Sequence, residues 1–129
     1  MIKIDSDGNE IWNNTYSEIH HVISRIVETQ DGDYVGVGTG WDGQHKFMWM
    51  FKTDSMGNFV WSSNYDNNSI GNSVSINAQG DFFFTGRTIL DDNIDLVIVK
   101  TDKSGIQEWN LTKGGGGDDH PIDIIEVCD

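Results

Sequence analysis

Oxygen ligands alternate in the turn Asp5-Ser6-Asp7-Gly8-Asn9 near the start of this 129-residue chain. Calcium takes about six to eight hard oxygens, and Asp5, Asp7 and Asn9 would supply part of such a shell. The equivalent turns further on read Asp54-Ser55-Met56-Gly57-Asn58 and Asp102-Lys103-Ser104-Gly105-Ile106. The second acid is lost and a lysine enters, which a repeated metal site would not tolerate. The expectation is a hairpin turn with no resident metal or cofactor, calcium being the alternative.

Four histidines, His20, His21, His45 and His120, have the donor chemistry of transition-metal ligands. His20 and His21 are adjacent in an extended segment, so they point to opposite faces and are expected not to share one ion. The acids Asp91 and Asp92, and Asp118 and Asp119 beside His120, would serve as acid and base on a glycoside only if their separation were fixed and one pKa were raised. Nothing in the sequence does either. Trp41, with Asp42 and His45 close by, is the loop residue best suited to stacking on a sugar or anchoring a protein. Gly114 to Gly117 lack the Lys-Ser/Thr and the helix start of a phosphate loop, and Cys128 has no recognisable base beside it. No catalytic residue is expected. Sequons at Asn13, Asn67 and Asn110 are candidate glycosylation sites.

These residues are positioned by a repeat. Ile2-Lys3-Ile4-Asp5 with Gly8 and Trp12 returns as Phe51-Lys52-Thr53-Asp54 with Gly57 and Trp61. It returns again as Val99-Lys100-Thr101-Asp102 with Gly105 and Trp109. The lysines at 3, 52 and 100 and the tryptophans at 12, 61 and 109 keep the same spacings of 49 and 48 residues. Each period reads as four short strands, one of them the apolar run Phe47 to Phe51, which is expected to be buried on both faces. Four-stranded antiparallel units of this length cannot cover both faces alone and stack about an axis. The fold class read from the sequence is all-β, built of β-propeller blades. Residues 1–16 are the last two strands of one blade, 17–65 and 66–112 are full blades, and 113–129 hold the first strand of another. The longer connections, 40–46, 66–71, 88–94 and 113–120, fall on one face.

The pattern I/V/F-K-T/I-D-x-x-G-x-x-x-W, followed by D/Q-G-D-Y/F, resembles the β-propeller repeats of long bacterial and archaeal surface and exported proteins. The resemblance implies a scaffold or interaction module, extracellular or at the cell surface, that meets a protein or glycan through the variable loops. The alternative is part of a propeller enzyme acting on polysaccharide, a hydrolase or lyase with most active-site residues elsewhere.

Eight Lys and Arg against 21 Asp and Glu give a net charge of −13, which argues against nucleic acid or anionic lipid as partner. No stretch has the length of a membrane span or the apolar core of a signal peptide. Taken as complete, the chain would be cytosolic. Met1 falls within a repeat strand, however, so the sequence reads as a fragment of a longer exported chain. A homo-oligomer that completes a ring is the other expectation.

Overall fold

The computed structural model describes residues 1–16, 20–90, 93–117, 120–121 and 123–124, with all their side chains except Asn67 and Leu90. Its regular structure is all β. Ten strands follow one another: β1 (Ile2–Ile4), β2 (Glu10–Asn13), β3 (His20–Glu28), β4 (Tyr34–Trp41), β5 (Lys46–Thr53), β6 (Phe59–Asn67), β7 (Ser69–Ile76), β8 (Phe82–Leu90), β9 (Asn93–Thr101) and β10 (Gln107–Lys113). They form a two-stranded sheet, β1-β2, and two four-stranded sheets, β3-β4-β5-β6 and β7-β8-β9-β10. Every pairing is antiparallel. No helix among the described residues is long and apolar enough to cross a membrane.

Tight turns set the register. Gly8, Gly32, Gly57, Gly80 and Gly105 end five four-residue turns with φ between +80° and +87°, a conformation that costs glycine little. The first residue of each turn closes it with its side chain. Asp54 Oδ1 accepts the N–H groups of Met56 and Asn58 at 2.9 and 2.8 Å, and Asn77 Oδ1 accepts those of Gln79 and Asp81 at 3.0 and 2.8 Å. Such side-chain-to-backbone bonds explain why Asp, Asn or Thr recurs there.

The two four-stranded sheets pack face to face. Val35, Val37, Met48 and Met50 of β4 and β5 meet Val74, Phe82, Phe84, Val97 and Val99 of β7 to β9 in one buried cluster. The opposite face of β5 presents Phe47, Trp49 and Phe51 to Met1, Tyr16, Ile23 and Ile26. The run Phe47 to Phe51 is therefore buried on both sides, as its composition predicts.

The connections differ from expectation. Residues 66–71 and the described part of 88–94 are largely strand: β6 runs to Asn67 and β7 begins at Ser69, while β8 runs to Leu90 and β9 begins at Asn93. Asp66 and Asn68 make the first reversal possible with φ of +39° and +64°, a region where Asp and Asn are the best tolerated non-glycine residues. The strand expected around Ile122 to Val127 lies mostly outside the described residues.

Phe84 is fully buried at the centre of the shared cluster. Phe84→Ala is expected to destabilise the protein by about 3–5 kcal/mol, measured by denaturant unfolding, with both sheets lost in one transition. A loss below about 1 kcal/mol would contradict a common core.

Candidate functional site

At the end of the sheets opposite the tight turns, Trp41 closes β4. It is not a loop residue: it pairs with His20 on one side and Lys46 on the other. This shortens the expected loop 40–46 to a reversal of four residues, Asp42 to His45. Asp42 N–H donates to the His45 carbonyl at 3.2 Å, and Asp42 Oδ1 accepts the N–H groups of Gln44 and His45, both at 2.8 Å. These bonds, led by that from the His45 N–H, hold the Asp42 carboxyl below its ordinary pKa. His45 Nδ1 lies 4.0 Å from the second Asp42 oxygen. Asp42 thus closes a turn before it can serve a ligand.

Trp41 is 43% exposed and stands 5.7 Å from the His20 ring, centroid to centroid. Beside them a groove of about 360 Å³ runs between the two four-stranded sheets, lined by His20, Val22, Trp41 and Lys46 on one side and Ile70 on the other. Val22 is 69% exposed, the most open large apolar side chain among the described residues. The groove thus offers an indole, two aliphatic side chains, an imidazole and an ammonium group.

His21 points the other way. It stacks on Trp49 at 4.1 Å with an interplanar angle of 17°, and burial there depresses its pKa. Alternation along β3 thus separates the two histidines. His120 belongs to a different place, its Nδ1 3.0 Å from an Arg87 guanidinium nitrogen, beside a cavity of about 500 Å³ with Leu96, Lys113 and Pro121. This cavity shares no lining residue with the Trp41 groove. Asp91, Asp92, Asp118 and Asp119 lie outside the described residues.

The oxygens of Asp5 are engaged by donors. Oδ1 accepts the N–H groups of Asp7 and Asn9 at 2.9 and 2.8 Å, and Oδ2 accepts the Asn9 side-chain amide at 3.0 Å. The Asn9 amide, first among these, lowers the Asp5 pKa. The lone pairs a calcium ion would need are thus turned toward amides. Among the described residues no group of three or more His, Cys, Asp or Glu side chains is arranged to hold a metal. Asn110 is exposed on β10, while Asn13 on β2 donates its side-chain amide to Glu10. Asn67 ends β6.

One constellation escaped sequence reading. Arg25 follows the bulged residue Ser24 in β3, and Ser73 follows the bulged residue Asn72 in β7, at equivalent positions one repeat apart. Both meet Asp123: Arg25 forms an ion pair with its carboxylate at 3.2 Å, and the Ser73 hydroxyl donates to the other oxygen. Asp123 stands 50 residues after Ser73 and has the corresponding place in the third repeat. The signal was the repeat itself, read at a position where residue type is not kept.

No protein-family model matches this sequence, and no curated protein matches it at a significant level.

The ordinary His21 pKa is 6.5 and its folded value lies below that. Well above pH 6.5 both states are neutral there. Below it the unfolded chain takes up the proton more readily, so stability falls with pH until the folded value is passed. The turn carboxylates Asp5, Asp42 and Asp54 also titrate below their ordinary 3.8; their stabilisation is lost only in more acidic solution. Between pH 7.5 and about 5 the melting temperature is therefore expected to fall, and to fall less in His21→Phe. Equal slopes in wild type and variant, measured by thermal melts across that range, would remove His21 as the cause.

Proposed function

We propose that this chain is an arc of β-propeller blades acting as a non-enzymatic scaffold or interaction module. It meets a protein or glycan partner, outside the cell or at its surface, through the end of the sheets that carries Trp41. The observation that carries the binding reading is the groove beside Trp41. An exposed indole on a strand end is held by main-chain pairing on both sides, next to Val22, Ile70, His20 and Lys46. Rigid aromatic groups of this kind bind sugar faces or apolar side chains at little entropic cost. The turn-closing carboxylates offer no raised pKa with which to run acid–base chemistry.

Support for the radial arrangement comes from the first strands. Residues from three successive repeats, Arg25, Ser73 and Asp123, converge on one carboxylate, while the outer strands β2, β6 and β10 each belong to a separate sheet. Convergence of first strands is what blades fanned about a common line would produce, and it supports the propeller reading.

Two measurements test these readings. Glycan-array and protein-array binding is expected to give saturable hits that Trp41→Ala weakens at least about tenfold, or roughly 1.4 kcal/mol, with no change in melting temperature. Polysaccharide cleavage, or hits indifferent to Trp41→Ala, would overturn the module reading. For the arrangement, a single chain fusing several copies of residues 17–65 is expected to close into a discrete ring by electron microscopy. A straight stack that grows with copy number would overturn it.

A further inference from the structure

Each of the first two repeats delivers a tryptophan to a turn of the unit that follows. The Trp12 indole Nε1 donates to the Ser55 carbonyl at 3.1 Å, and Asn14 Nδ2 donates to the Met56 carbonyl at 2.9 Å. A Cβ added at Gly57 would lie 2.9 Å from the Trp12 ring. Trp61 packs on the next such turn one repeat later, where a Cβ at Gly105 would lie 2.8 Å from its indole, although its buried Nε1 has no hydrogen-bond partner there. Each indole also meets an aromatic ring of the following sheet, Trp12 with Tyr34 at 6.0 Å and Trp61 with Phe82 at 6.1 Å. Glycine at this turn is needed for its φ of +80° or +81° and for the space its missing side chain leaves.

One tryptophan and one glycine of the series are left over. Trp109 is 43% exposed and, among the described residues, the one aromatic ring it meets is Phe83 of its own sheet, at 6.0 Å. On the same face Leu111 is 41% exposed. Leu96 and Ile98, which stand 48 residues after the buried Met48 and Met50, are only half-buried. At the other end of the chain the Gly8 turn has the same φ, +85°, and a Cβ built there would meet nothing within 4 Å. Ile2 and Ile4, counterparts of the fully buried Phe51 and Thr53, are 60% and 57% exposed.

We propose that this chain associates head to tail with a second copy of itself, Trp109 of one copy seating on the Asp5-Ser6-Asp7-Gly8 turn of the next. The Ser6 carbonyl stands where Ser55 stands for Trp12 and receives the Trp109 indole N–H; Gly8 leaves room for the ring. Lys113 lies on the face of β10 that carries Trp109 and Leu111, opposite a turn bearing Asp5 and Asp7, so the contact is also complementary in charge. The contact joins two different surfaces and therefore propagates into a ring or an open chain. It goes beyond the propeller reading: a monomeric chain would overturn this contact and leave the fused-ring experiment to decide the other.

Light scattering across a concentration series is the test. Wild type is expected to rise from the 14.5 kDa monomer to about twice that mass or more. Trp109→Ala and Leu111→Glu, each checked for retained β circular dichroism, are expected to stay monomeric. Added to wild type, Trp109→Ala keeps its Gly8 turn and is expected to cap the assemblies and lower their mass. A wild type that remains monomeric to about 1 mM, or assemblies that either variant leaves intact, would overturn the proposal. So would capping that fails although Trp109→Ala alone is monomeric, since that marks a symmetric Trp109-to-Trp109 contact.

Discussion

A β-sheet whose central strands are apolar on both faces cannot stand in water, and this constraint governs the molecule. β5 spends five consecutive residues, Phe47 to Phe51, on two cores: Met48 and Met50 toward β7 to β9, and Phe47, Trp49 and Phe51 toward the first residues of the chain. Each fully buried side chain of this size contributes roughly 1.5–3 kcal/mol relative to exposure, so uncovering either face is costly. Stacking is thereby enforced, and the layers follow one another in chain order. Where no described residue covers a face, the counterparts of buried residues stand half-open, as Leu96 and Ile98 do.

The recurring polar residues serve this stacking. The lysines of the second and third K-T/I-D segments reach the acid of the neighbouring hairpin in their own sheet, Lys52 to Asp33 at 2.9 Å and Lys100 to Asp81 at 2.9 Å, while Lys3 of the first stands over the Tyr34 ring. Both lysine side chains are largely buried, where the cost of desolvation offsets much of the attraction, so these pairs fix strand position more than they add to stability. The turn aspartates spend their oxygens on main-chain N–H groups. Much of the acidic content is thus structural, and the chemistry available to a partner is narrower than a net charge of −13 suggests.

That narrowing concentrates attention on two of the places where apolar groups remain open. One is the groove beside Trp41 and Val22, the other the β10 face with Trp109 and Leu111. Both are aromatic, and both are held by regular strands. They differ in origin: Trp41 has no counterpart tryptophan one repeat on, where Ile89 stands, whereas Trp109 belongs to the repeat. A residue outside the periodic pattern has been released from the packing that fixes the others, which suits a site particular to this protein. A residue inside the pattern suits a contact of the kind the chain already makes with itself.

How much could be read from the sequence follows from range. Hairpins are local: Asp-x-x-Gly turns, two-residue alternation and the 48-residue period specify short strands and their antiparallel partners before any tertiary contact forms, and the two four-stranded antiparallel sheets appear as read. Trp41 was misplaced because nothing local separates a strand's last residue from a loop's first; pairing with both His20 and Lys46 decided it. The short connection at 66–68 reads as part of a longer loop because its polar residues look alike whether paired or not. The groove under Trp41 needs Val22 and Ile70, which lie 48 residues apart on different sheets. The meeting of Arg25, Ser73 and Asp123 spans 98 residues and joins positions of unlike type. Sequence determined the units and their order, because their interactions are short-range and repeated. Only the tertiary structure decided which faces meet and which groups stay open, because that depends on how whole sheets stack.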